Sequence, residues 1–93
     1  SLSDLIDKDV FTTKGYYCGR VRDCEVDLSR FKIRSLIVEI ARDSFLERVV
    51  GGKRGIIVPY PMVHAIGDIV IIRHISGTEF SSEEVESEEE KEK

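Results

Sequence analysis

Apolar side chains along this chain either alternate with polar ones or gather in short runs. That arrangement has the two-residue period of β-strands, and no long segment shows the 3.6-residue period of a surface helix. Ile, Val, Tyr and Phe dominate the runs, as they do in strands. The pattern predicts strands over residues 10–13, 16–28, 32–41, 56–58 and 69–74.

The stretch from residue 58 to residue 72, VPYPMVHAIGDIVII, joins two apolar runs through a turn. Pro59 lacks a backbone donor, so we expect the first strand to end there or to lie at a sheet edge. Residues 61–67 are predicted to form the turn, which Gly67 and Asp68 complete. The paired runs predict two short strands of a small β-barrel.

The long strand at 16–28 carries an irregularity. Val21 and Val26 both have core character, yet five positions separate them, so an ideal strand would point them to opposite faces. A bulge at 22–23 restores one shared face. We assign Asp23 to capping that bulge and Asp27 to capping the hairpin that follows.

Two helical turns complete the predicted elements. Residues 3–6 begin with Ser3 and Asp4, and residues 45–48 follow Asp43 and Ser44, all residue types that cap helix N-termini. The fold class is therefore mainly β: a small barrel of about five to six bent strands with short helical turns.

Charge divides the 93 residues into one domain at 1–78 and an acidic tail at 79–93 that we expect to be disordered. Residues 81–93 contain seven Glu and two Lys, so the first 80 residues carry a net charge of +1 out of the total of −4. A nearly neutral body argues against strong nucleic-acid binding.

Two cysteines too far apart to bridge indicate a reducing compartment. The absence of a signal or membrane-spanning segment predicts a cytoplasmic protein without membrane insertion.

No combination of polar residues predicts catalysis, a metal or a cofactor. His64 and His74 lie on separate elements, and the acidic residues at 23, 25 and 27 spread over about 13 Å of one strand, wider than a coordination shell. The basic glycine-rich turn at 51–55 lacks the following Ser or Thr and the helix of a phosphate-binding loop. We therefore expect a non-enzymatic protein.

A basic hairpin leaves an alternative open, because small barrels often contact RNA. No aromatic platform is predicted within it, and the other interpretation is a charged face in water or a partner for the acidic tail. The candidate RNA contacts are Arg20, Arg22, Arg30, Lys32 and Arg34.

An apolar surplus in the last strand is more informative than any polar group. Ile69 and Ile71 lie on one side and Val70 and Ile72 on the other, whereas a small barrel has one interior. One set must be covered by a terminal segment, a second copy or another protein. Our predicted contact residues are Ile37, Tyr60, Met62, Val70 and Ile72.

Several short motifs in order resemble the PRC-barrel domain, especially its small stand-alone archaeal form. They are L-I at 5–6, G at 15, G-R-V-R-D at 19–23, V-D at 26–27, L-I-V at 36–38, V-P at 58–59 and V-H-A-I-G-D at 63–68. The resemblance implies a bent-strand barrel used as an adaptor. The residues that we predict to be structural are Gly19, Asp23, Asp27, Pro59, Gly67 and Asp68. The resemblance also implies a link to archaeal cell division, where short members associate with SepF, the FtsZ anchor.

Two hypotheses follow. The first is a cytoplasmic protein-interaction module with a protein partner, which includes a homodimer. The second is an RNA- or ribosome-associated barrel that uses the basic hairpin.

Overall fold

The computed structural model describes residues 1–75 and 84–85. The chain begins with a 3-10 turn at Leu2–Asp4, and a second 3-10 turn at Tyr60–Met62 precedes β5. The regular elements are β1 (Asp9–Thr12), β2 (Tyr17–Asp27), β3 (Lys32–Ile40), α1 (Phe45–Val50), β4 (Gly55–Pro59), β5 (Val63–Ile66), β6 (Val70–Ile72) and β7 (Glu84–Val85).

All seven strands belong to one sheet in the order β5-β6-β1-β2-β3-β4-β7. Neighbours are antiparallel except β1 and β6, which run parallel and bring the two ends of the domain together. Within residues 1–75 and 84–85 no ladder joins β5 to β7, so the sheet is open. The mainly β prediction is confirmed, with more strands than expected.

One apolar cluster fills the concave side of this sheet. Strands from β1 to β4 and β6 all contribute to it, which requires the sheet to curl around a shared interior. Leu5 from the N-terminal turn and Leu46 from α1 join the same cluster. The other buried members are Val10, Cys18, Val21, Leu36, Val38, Ile56, Val58, Val70, Ile72 and Ile75.

The predicted bulge in β2 is confirmed. The register against β3 shifts between Val21 and Asp23, and the Asp23 carboxylate accepts a hydrogen bond from the Cys24 N–H at 2.8 Å. A second shift, between Glu25 and Val26, was not predicted. Both irregularities bend the longest hairpin of the sheet.

Gly19 lies where β2 crosses closest to β3. Its φ of +151° is unfavourable for residues with a side chain, and an added Cβ would lie 1.9 Å from the carbonyl oxygen of Glu39. Only glycine fits this position, which gives a physical reason for its predicted structural role.

The helical cap after β3 is confirmed. Ser44 is the N-cap of α1, and its hydroxyl accepts the Glu47 N–H at 3.2 Å. The first turn lies earlier than predicted, at Leu2–Asp4 with Ser1 at its N-cap position.

The segment at 61–67 is not simply a turn. Its second half forms β5, which pairs with β6 around a bulge between Val63 and Ala65. Most β5 side chains are exposed, so the sequence carries no alternation there to predict a strand. The last strand is also shorter than predicted, at Val70–Ile72. Strand β4 does end at Pro59, as expected.

The predicted tail lies outside the described residues apart from β7. The backbone of Glu84–Val85 pairs with β4 opposite Gly55 and Ile56. The domain boundary at residue 78 and the disorder of the tail stay predictions.

Candidate functional site

The two faces of β6 have different environments. Val70 and Ile72 are 0% exposed in the core, so the prediction that they form an intermolecular contact is wrong. Ile69 is 37% exposed, and Ile71 is half-buried on the same face. The apolar surplus is real, but the exposed set is the opposite one.

A shallow groove of about 370 Å³ runs over this outer face. Phe11 of β1 is the cross-strand partner of Ile71, and the two side chains form its floor together with Ile69. His64 and the β1–β2 turn line its rim. We call this feature the outer groove and define its floor as Phe11, Ile69 and Ile71.

Tyr17 extends the apolar face beside the groove. Its ring packs against Phe11 with centroids 5.1 Å apart, and its hydroxyl donates to Oδ1 of Asp9 at 3.0 Å. Burial, followed by this hydrogen bond, raises the pKa of Tyr17 above its ordinary value. The phenol therefore stays neutral and contributes surface, not a base.

Little in the groove can perform chemistry. His64 is exposed at the rim, and the floor is entirely apolar. In the part of the chain that the structure describes, no group of His, Cys, Asp and Glu is arranged to hold a metal ion. The arrangement favours burial of an apolar surface over catalysis.

Comparison with known families decides the assignment of the fold. The profile of the PRC-barrel domain matches residues 1–79. The chain belongs to the PRC-barrel domain family. Uncharacterized protein MJ1118 of Methanocaldococcus jannaschii is 35% identical over 68 residues, which cover 73% of this chain and 74% of the relative. The archaeal relative agrees with the predicted small archaeal type.

The remaining predicted contact residues of this PRC-barrel domain, Ile37, Tyr60 and Met62, lie outside the outer groove. Ile37 pairs with Ile57 on the outer face of β3 and β4, with β1 and β2 lying between it and β6. Tyr60 is exposed in the second 3-10 turn, whereas Met62 is half-buried and packs against the core. Neither belongs to the lining of the outer groove.

The basic hairpin is exposed, but carboxylates accompany several of its cations. Arg22 bonds Glu39 at 2.9 Å, and Arg30 and Arg34 lie 3.9 and 3.8 Å from Asp27. The Ser29 hydroxyl bonds Asp27 and, with backbone N–H groups and nearby Arg34, lowers the pKa of that carboxyl. Asp27 thus organises the hairpin, as its predicted capping role requires. Arg20 and Lys32 are also exposed.

Sequence reasoning missed the apolar tip of the β2–β3 hairpin. Leu28 is 76% exposed and Phe31 is 89% exposed, the two highest values among large apolar side chains in the described residues. Phe31 also has a left-handed backbone, with φ +54°. The prediction that no aromatic group accompanies the hairpin cations is wrong, because Phe31 stands between Arg30 and Lys32. The only sequence signal was the presence of two apolar residues, Leu28 and Phe31, in an otherwise polar turn.

His74 belongs to an aromatic cluster, not to a catalytic pair. Its ring lies 5.1 Å from Phe45 and 5.8 Å from Tyr16, and its backbone N–H donates to Oγ1 of Thr13 at 3.0 Å. Within the described residues its Nδ1 is buried without a hydrogen-bond partner. The cluster joins α1 to the end of β6.

The two cysteines are free thiols, as their spacing predicted. Cys18 is fully buried, and this burial raises its pKa to about 12. Cys24 is half-buried, and desolvation, with the Asp23 charge, also raises its pKa. Neither is an activated nucleophile, because catalytic cysteines need a lowered pKa.

No helix within residues 1–75 and 84–85 is long and apolar enough to cross a membrane.

Proposed function

We propose that this PRC-barrel domain is a non-enzymatic, cytoplasmic adaptor that binds protein through its outer groove. The observation that carries the proposal is the apolar floor of the groove, in which Ile69 is exposed and Phe11 and Ile71 are half-buried, after the inner faces of the same strands have filled the core. Contiguous exposed apolar surface beside a polar rim is typical of interaction sites.

The sheet edges support binding by the face instead of by strand addition. Strand β7 pairs with the outer edge of β4, and a bulge interrupts β5 at the opposite edge. Covered and bulged edges are the means by which proteins avoid pairing with other chains. Within residues 1–75 and 84–85, no strand covers the outer groove.

The partner class that we propose follows from family membership. Short archaeal PRC-barrel proteins include cell-division proteins, and the archaeal relative supports the small archaeal type to which those proteins belong. Self-association fits the same surface, because an apolar groove binds any complementary apolar group regardless of its source.

The test combines light scattering with affinity capture from an archaeal lysate. Ile69→Arg places a charge on the groove floor at an exposed position, and Leu2→Arg makes the same type of change on an exposed side chain of the N-terminal turn. We expect the wild type and Leu2→Arg to recover the same partner or oligomer and Ile69→Arg to lose it. A strict monomer that recovers no partner would contradict the proposal, as would capture that Ile69→Arg leaves unchanged.

One observation supports RNA binding as a second candidate. Phe31 presents an exposed ring among cations, and aromatic rings flanked by cations bind single-stranded RNA by stacking. The carboxylates beside Arg22, Arg30 and Arg34 weaken this candidate. It predicts salt-sensitive RNA binding that decreases when Arg20, Arg22 and Arg34 become Glu, and binding indifferent to those changes excludes it.

A further inference from the structure

The tip of the β2–β3 hairpin has a backbone conformation that its residue type disfavours. Phe31 has a left-handed φ of +54°, a conformation in which Gly and Asn are favoured and bulky side chains are strained. With 89% of the side chain exposed, packing within the chain offsets little of that strain. Leu28 beside it is also almost fully solvated. Retained strain of this kind points to a contact outside the folded chain.

The tip projects from the rest of the sheet. Strand β1 pairs with the first part of β2, up to Arg20, and β4 pairs with β3 only from Ser35 onward. Residues 22–34 therefore form a two-stranded ribbon whose end carries the two apolar side chains. Such a ribbon can enter a groove on another surface.

The tip and the outer groove lie at opposite ends of β2. Tyr17, whose ring packs on the groove floor residue Phe11, begins the strand, and Asp27, which caps the tip, ends it. Ten residue steps of extended chain span about 30 Å. Neither Leu28 nor Phe31 is among the residues that line the groove, so within one chain the tip does not fill it.

We propose that the tip of one copy, Leu28 and Phe31, docks into the outer groove of a second copy, in a head-to-tail contact. This inference rests on the proposed function of the groove and names its partner. The groove is apolar and concave, and the tip supplies the exposed, convex apolar group that its floor lacks.

The charges orient the contact. Asp9 and Asp68 stand at one end of the groove, where the parallel strands β1 and β6 begin, although Lys8 at this end donates to the Gly67 carbonyl oxygen. Lys14 and Arg73 stand at the other end. Arg30 and Arg34 lie 3.9 and 3.8 Å from Asp27 of their own hairpin, whereas Lys32 is exposed, so Lys32 is the tip cation that faces the Asp9–Asp68 end.

A contact between two different surfaces leaves one tip and one groove open on every pair. Such heterologous contacts extend into rings or open chains, in contrast to a two-fold dimer. Concentration-dependent growth beyond the dimer is the expected behaviour.

Mixing two defective variants tests the geometry directly. Phe31→Asn removes the larger apolar side chain of the tip and keeps the groove, while Ile69→Arg blocks the groove and keeps the tip. We expect each variant to sediment as a monomer, and their mixture to form a 1:1 dimer that does not grow. Ile71→Arg is a second groove variant, and Leu2→Arg the control that assembles like the wild type. Each variant's fold is checked by circular dichroism.

Phe31→Asn also distinguishes loss of this contact from misfolding of the chain. Because Asn tolerates a left-handed backbone, the variant is expected to melt about 4 °C higher in dilute solution while it loses assembly. A monomeric wild type, a mixture without dimer, or a Phe31→Asn variant that assembles normally would overturn the inference. A wild type that stays monomeric and binds RNA or anionic vesicles, with that binding lost in Phe31→Asn, would also overturn the inference and assign the tip to that ligand. The proposed function fails separately, if Ile69→Arg still captures a wild-type partner that is not a copy of this chain.

Discussion

The two faces of β6 have similar composition and opposite environments. Val70 and Ile72 point into the curled sheet and are fully buried, while Ile69 and Ile71 lie on the outer face beside Phe11. Branched aliphatic side chains alternate along one strand, so hydrophobicity alone cannot say which pair stabilises the fold. The difference is decided by β1, whose Val10 and Thr12 are buried opposite Val70 and Ile72. The inner face is the core, and the outer face is available for binding.

The largest effect is expected where the inner side of the sheet admits no added atom. Gly19→Ala places a Cβ against the Glu39 carbonyl oxygen at a disfavoured φ, so we expect it to lower the free energy of unfolding by more than about 4 kcal/mol or to prevent folding. Gly67→Ala is the control, since no atom lies within 4 Å of its Cβ position. Urea denaturation measures both, and a Gly19→Ala protein as stable as the wild type would show that β2 and β3 are farther apart.

The next effect compares the two faces directly. Ile72→Ala leaves a cavity in the core and is expected to cost about 2–5 kcal/mol of unfolding free energy. Ile71→Ala removes the same atoms from the outer groove and is expected to cost about 1 kcal/mol or less. Equal losses in chemical denaturation would mean that both faces are packed within one chain, which would remove the groove.

A smaller effect depends on pH. Burial raises the pKa of Cys18 from 9.0 to about 12, so the stability that its neutral thiol contributes is intact below pH 9. It is lost as the pH rises toward 12, by about 1.4 kcal/mol per pH unit, because only the unfolded chain can then release the proton. Cys18→Ala should lack this extra slope when unfolding is measured at pH 8 and pH 10. Parallel slopes for the two proteins would place Cys18 in contact with water.

The strands, the β2 bulge and the α1 cap were predictable because each depends on local chemistry. The separation of Val21 and Val26, the Asp-Ser pair before Phe45 and the proline at 59 all act over a few residues. The family motifs, found in the correct order, predicted the fold. Which face of β6 is inside was not predictable, because it depends on the pairing of β6 with β1, some 60 positions away.

The groove and the tip escaped prediction for related reasons. Phe11 and Ile71 become neighbours only through the parallel β1–β6 pairing, and Ile71 could not be told from Ile72 by type. Phe31 itself has the left-handed backbone at the end of the turn, a position where a glycine or asparagine would have signalled that conformation. Both features are departures from local rules, and such departures concentrate at functional sites.

We expect protein to cover the outer groove in the assembled state. Hydroxyl-radical footprinting tests it by comparing the chain in dilute solution with the chain in its captured complex or concentrated oligomer. The account predicts strong protection of Phe11, Ile69 and Ile71 in the complex, with no change at Leu2. Equal labelling of the groove side chains in both states would contradict it.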